Sequence, residues 1–245
     1  MSWATYEPAT GYAGTEQLKP ILQAKPENPS HMQQVHMQPQ AQGQGQPQPQ
    51  QQVQAQPKGQ SQWKDISEYE EVYDWVYIFC GVLVTELAVI FLIRFFPEIF
   101  GKYANIWYNR FKLSAVIADV LVIVLGIGIA RYVYTEFVYP KYDWNPLMFT
   151  GTAVGVQIIH DILFYLGVIQ QVPKGQNAMI DVMKEYASSA GARSIAADSA
   201  MMISSVGLAM IFKGMEGHLA AFIGILTVYA IPYILETRND YSTIA

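Results

Sequence analysis

Hydrophobic and polar positions divide this chain into two unlike parts. Residues 1–62 are polar, whereas from residue 75 to residue 236 the chain is mostly apolar. Five apolar runs stand out in the second part: 75–96, 111–133, 147–169, 195–212 and 219–234. At 1.5 Å per helical residue the first three reach about 33 Å, enough to cross a hydrocarbon layer of about 30 Å. The last two are shorter and joined only by "KGMEGH", which makes them a helical hairpin. A water-soluble fold would have to hide all five runs at once. The pattern therefore predicts an all-α membrane protein, a bundle of about five transmembrane helices.

Between the third and fourth runs the pattern changes. In "PKGQNAMIDVMKEYASSAGARS", Pro173 and Gly175 end one helix and Asn177 can cap the next. Met179, Ile180, Val182, Met183 and Tyr186 then give residues 177–190 one apolar side, and Gly191 can stop the segment. This is an amphipathic helix lying at the membrane interface. Ahead of the first run, "WKDISEYEEVYDW" mixes aromatic and acidic residues as an interfacial segment does.

Composition sharpens the division. Residues 33–62 hold 15 glutamines interleaved with Pro39, Pro47, Pro49 and Pro57, so they lack the side chains of a core and read as a low-complexity tether. Such a tether spans about 30 Å as a random coil and about 90 Å as extended polyproline II. Residues 1–32 form an N-terminal arm in which Trp3, Tyr6, Tyr12, Ile21 and Leu22 could dock on a partner. The expected organisation is thus arm 1–32, tether 33–62, multi-span domain 63–236 and C-terminal tail 237–245. The N-terminal residues lack the basic and apolar regions of a cleavable signal, so insertion is expected to rely on the later helices. A single cysteine, Cys80, allows no intrachain disulfide. The net charge of -5, without a basic stripe, argues against nucleic acid as a partner.

The chemistry to explain is the set of polar residues inside the apolar runs. If the first helix leaves the face that carries the N-terminal region, here side A, the helices alternate in direction. Counting along them places Glu86, Asp119, Asp161 and Asp198 in the half of the bilayer nearer the opposite face, side B. His160 shares that level. Gln157, Asp161 and Tyr165 recur at i, i+4 and i+8 on one helical face, with His160 beside it. A charge at bilayer depth costs about 2.5 to 3.5 kcal/mol on insertion scales, so one shared interhelical cluster is the economical arrangement. Three roles fit it: hydrogen-bonding glue between helices, a proton or cation path, or an enzyme site built on the His160–Asp161 pair. The third lacks its remaining parts. Only one histidine lies at depth, and no metal pattern, phosphate loop or nucleophile elbow accompanies it. No catalytic residue, metal or cofactor is therefore expected.

Small residues at four-residue spacing mark candidate helix contacts: Gly126 and Ala130, Gly151 and Gly155, and Ala196, Ala200 and Ser204. Basic residues near the runs favour side B as cytosolic. Arg94, Lys102, Arg110, Lys112, Lys174, Lys184, Arg193 and Arg238 stand there against Lys58, Lys64, Arg131, Lys141 and Lys213 on side A.

From about Leu147 onward, "QIIHDILFY", "PKGQNAMIDVMKEYASSAG", "ADSAMM" and "YAIPYIL" resemble a family of uncharacterised multi-span membrane proteins of large nucleocytoplasmic DNA viruses. The resemblance covers somewhat over a third of the chain and leaves out the glutamine-rich tether. It implies a protein of the virion inner membrane, inserted in a host-derived bilayer during infection and associated with capsid or minor capsid proteins. Residues 1–62 are suited to reach such partners, and a viroporin-like channel or transporter is the alternative. The resemblance implies no catalytic role for any residue.

Overall fold

A computed structural model describes residues 63–239 of the chain. The arm, the tether and the last six residues of the tail lie outside the described residues. Seven helices follow one another: α1 (Asp74–Phe95), α2 (Pro97–Phe111), α3 (Leu113–Val133), α4 (Pro146–Phe164), α5 (Ala178–Ala190), α6 (Ala192–Lys213) and α7 (Gly217–Leu235). Helices α3 and α4 each run on through a π-helical turn, Tyr134–Val138 and Tyr165–Ile169. Among the described residues there is no strand. Five helical segments are long and apolar enough to cross a membrane: Asp74–Phe95, Leu113–Val138, Pro146–Ile169, Ala192–Lys213 and Gly217–Leu235. This is the make-up of an integral membrane protein, all-α and polytopic.

The two helices too short to span, α2 and α5, follow α1 and α4 respectively, so both lie at side B, where they touch one another. Asn177 caps α5 by accepting the backbone N–H groups of Met179 and Ile180. Gly191 then turns the chain into α6 at φ 52°, a left-handed conformation that favours glycine. Helix α2 was not expected from the hydrophobic pattern, which leaves residues 97–110 without an element. Pro97 occupies its first turn, where a missing N–H costs nothing. Gly101, at φ 74° and ψ −178°, then breaks the helical path. The Asn105 amide donates to the carbonyls of Pro97 and Gly101, at 2.9 and 2.8 Å, and closes the kink.

Helix α1 lies at the centre, packed against α6 and α7 and touched by α2 and α3, while α4 packs against α3 and α6. Ile78, Val82, Ile90, Ile123, Ile127, Met202, Val206 and Met210 fill the shared core. The closest approaches rest on two glycines that the spacing did not single out. A Cβ on Gly81 would stand 2.7 Å from the carbonyl oxygen of Ser205, and one on Gly224 would stand 2.6 Å from Cys80 Sγ. Of the expected small-residue contacts, Gly126 abuts Met202 and Gln157, and Ala130 is fully buried. The other five face outward. Gly151 and Gly155 have nothing within 4 Å of a Cβ position, and Ala196, Ala200 and Ser204 are exposed. Four-residue spacing marks a face without saying which face packs. Helix α4 turns Phe149, Ala153 and Gln157 inward instead, and α6 turns Met202, Ser205, Val206 and Ala209.

Candidate functional site

The polar residues at bilayer depth form two groups rather than the single expected cluster. In the first, α2 folds back beneath the ends of α1 and α3 and inserts two aromatic side chains. The Tyr108 hydroxyl lies 2.9 Å from Glu86 Oε1 and 2.8 Å from Asp119 Oδ2, and Trp107 Nε1 donates to the same Asp119 oxygen at 2.9 Å. Three contacts need three hydrogens. Trp107 and Tyr108 supply one each, so the third must come from a carboxyl group. Asp119 Oδ2 already receives the indole N–H, which leaves Glu86 to donate to the phenol oxygen while the phenol donates to Asp119. Burial first, and then the two neighbouring carboxyl groups, push the Tyr108 phenol well above its ordinary range, so it keeps its own proton.

The second group lies along α4. Gln157 Nε2 donates to Asp161 Oδ1 at 2.7 Å, and His160 Nδ1 stands 3.3 Å from that oxygen. The His160 ring stacks on Phe164, with centroids 5.7 Å apart and an 11° interplanar angle. The two groups remain separate because α4 packs against α3 and α6 rather than α1, so no hydrogen bond joins Gln157, His160 or Asp161 to Glu86 or Asp119. Asp198 of α6 is within electrostatic reach of both Asp161 and Asp119 and hydrogen-bonds to neither. Tyr186 of α5 lies within electrostatic reach of Asp198 and Asp119. Its phenol is pushed up to about 12, chiefly by burial and secondarily by Asp198 and Asp119. The Tyr165 hydroxyl makes no hydrogen bond among the described residues, so this position is not tied into either group.

Sequence reasoning missed a third arrangement, at side A. Asp74 opens α1 at 1% exposure, and Lys213 Nζ, from the end of α6, stands 2.7 Å from its Oδ1. Arg131, fully buried near the end of α3, brings Nη2 to 3.5 Å from Asp74 Oδ2. The same guanidinium donates to the carbonyls of Glu68 and Glu71 and lies over the Trp75 ring at 5.1 Å. Residues 63–73 thereby fold onto the bundle end, with Ile66 and Ser67 buried and Thr135 Oγ1 donating to the Ser67 carbonyl at 2.9 Å. In the sequence Arg131 and Lys213 counted as flanking basic residues. The available signal was that Asp74, Arg131 and Lys213 all fall at the same end of alternating helices.

No three His, Cys, Asp or Glu side chains among the described residues stand together in a way that could hold a metal ion. What the geometry can do is join helices through shared hydrogens. Glu86, Tyr108 and Asp119 tie α1, α2 and α3 together, and Asp74, Arg131 and Lys213 tie α1, α3 and α6. Fold and site define a polytopic α-helical membrane protein with polar ties between its helices. No protein family, curated protein or solved structure matches the chain.

Proposed function

We propose that this chain is a structural membrane protein of a virus, in which the five-span bundle anchors residues 1–62 to an internal bilayer and those residues engage capsid or minor capsid proteins. In this reading the chain performs no catalysis and takes no cofactor. The observation that carries it is the use of the intramembrane carboxyl groups: Glu86 Oε1 and Asp119 Oδ2 bond to Trp107 and Tyr108 and so hold three helices together. The polar, glutamine-rich sequence before the bundle supplies reach without a core of its own. The viral setting rests on the sequence resemblance. Mass spectrometry of purified particles, before and after mild detergent stripping, tests it. A high copy number, with residues 1–62 protected from protease only in intact capsids, supports the tether. Absence from particles removes it.

A second reading, a proton or cation path, is favoured by one observation. Glu86 Oε2, Gln157 Oε1 and Asp161 Oδ2 are buried without hydrogen-bond partners, and Asp198 adds a further carboxyl group between the two clusters. Proton flux in liposomes that disappears with Asp119→Asn or Asp161→Asn would replace the structural reading with this one.

A further inference from the structure

Arg94 closes α1 at side B, 3% exposed; among the described residues no carboxylate forms an ion pair with it, and Glu236 is only within electrostatic reach. It donates one hydrogen bond, from Nη1 to Asn109 Oδ1, while its Nε and Nη2 groups are buried without partners. A buried guanidinium without a counter-ion is among the costlier arrangements in a protein, because desolvation is offset only by pairing and full hydrogen bonding. Asn109 shares the deficit, since its Nδ2 is also buried and unpartnered. That asparagine lines a cavity of ≈ 210 Å³ together with Lys112, Glu236, Thr237 and Arg238. The only carboxylate in the lining, Glu236, is engaged by Lys112 at 2.9 Å. Helix α3 begins beside Lys112 with no side-chain cap over its first N–H groups. Lys112 and Arg238 thus line this cavity against one carboxylate, and Arg94, outside the lining, stands behind it through its bond to Asn109, on the face that carries most of the chain's basic residues.

We propose that Asn109, Lys112 and Arg238 form a binding site for a phosphate group, supplied either by an anionic lipid headgroup or by free phosphate, with Arg94 adding its positive charge from behind Asn109. The inference is independent of the proposed viral function. Phosphate matches the site because its oxygens accept several charge-assisted bonds at once, and basic pockets between membrane helices are where anionic headgroups bind.

The test uses the full chain, purified and placed in nanodiscs of phosphatidylcholine with or without phosphatidic acid, and separately in detergent with inorganic phosphate. Lipid retention by native mass spectrometry and the thermal midpoint are read for the wild type, Arg94→Gln and the double variant Lys112→Gln/Arg238→Gln. The expected result is preferential retention of phosphatidic acid with a raised midpoint. The double variant should weaken retention by about tenfold, the size of one charge-assisted contact, and Arg94→Gln by a smaller factor. A midpoint raised by inorganic phosphate alone, and lost in the double variant, supports the same site with a soluble source. Should Arg94→Gln fail to fold, the double variant decides. Equal retention of phosphatidic acid by variants and wild type, or no preference of the wild type for either phosphate probe over phosphatidylcholine, overturns the proposal.

Discussion

The two ends of the bundle treat buried charge in opposite ways. At side A, Asp74 meets Lys213 and Arg131 within 3.5 Å, and the same Arg131 Nη2 donates to the Glu68 and Glu71 carbonyls, while its Nε and Nη1 groups are buried without partners. At side B, Arg94 is almost as deeply buried and meets only the neutral amide of Asn109. Asp119 at that end is satisfied by the aromatic donors of α2 instead of by a cation. Closely spaced opposite charges fix the register of three helices where the chain enters the bundle. At the other end, neutral bonds stand in place of the ion pairs, and carboxyl groups are able to share hydrogens. One end is a lock, and the other retains the polar groups on which binding or proton chemistry would have to be built.

Removing the central carboxylate breaks the comparison most strongly. Asp74→Ala strands the buried Arg131 and takes the partner from the partly exposed Lys213, and is expected to cost about 3 to 5 kcal/mol in detergent unfolding, the range for a buried pair deprived of one partner. Arg94→Met removes a cation that has no counter-ion, so its expected change is within about 1 kcal/mol or favourable. Equal losses for the two variants would erase the distinction between the ends.

Packing comes next. Gly81→Ala forces a methyl group against the backbone of α6 and is expected to cost about 2 to 3 kcal/mol. Gly151→Ala meets open space and should be neutral or stabilising by up to about 1 kcal/mol through helix propensity. Thermal midpoints of the two variants in one detergent check the contrast.

Tyr108→Phe removes the hydroxyl between Glu86 and Asp119, with an expected loss of about 1 to 2 kcal/mol because buried carboxyl oxygens go unpartnered. A protonated-carboxyl band in the infrared spectrum that disappears in Glu86→Gln would establish which group donates to the phenol.

The smallest effect is at the surface of side B, where α5 meets α2. The Lys174 ammonium and then the Tyr103 hydroxyl, both hydrogen-bonded to Glu185, hold its carboxyl below the ordinary glutamate range. A lowered folded-state value means that the contribution is complete above the ordinary range and is lost as pH falls through the lowered value. The Glu185 side-chain midpoint by NMR should therefore lie below that of a free glutamate and rise in Lys174→Ala. An unchanged midpoint in the variant would remove the assigned cause.

Much of this architecture is legible in the chain because apolar length is a local property. The spans announce themselves, and α5 is marked by Asn177 and Gly191 at its two ends. Helix α2 is not legible in the same way. It is 15 residues long, is interrupted by Gly101, and mixes Lys102, Asn105 and Arg110 with five bulky aromatics, so it gives neither a span nor a clean alternation. The site suffers most from this omission, since Trp107 and Tyr108 are the partners that Glu86 and Asp119 need. Without them the carboxylates can only be imagined bonding to one another or to His160. The lock at side A is invisible for a related reason: Asp74 and Lys213 are 139 residues apart, and only the return of α6 alongside α1 brings them together. Small-residue spacing fails at Gly151 and Gly155 because a period of four identifies a stripe on a helix but carries no information about its neighbour.

The central claim is that the intramembrane polar groups hold helices together rather than conduct. The most direct test reconstitutes the wild type, Asp119→Asn and Asp161→Asn into liposomes and reads proton flux with an enclosed pH dye beside thermal stability in detergent. The account predicts no flux above empty liposomes for any of the three, with midpoints lowered in both variants. Flux in the wild type that vanishes in the variants while their midpoints stay unchanged would contradict it.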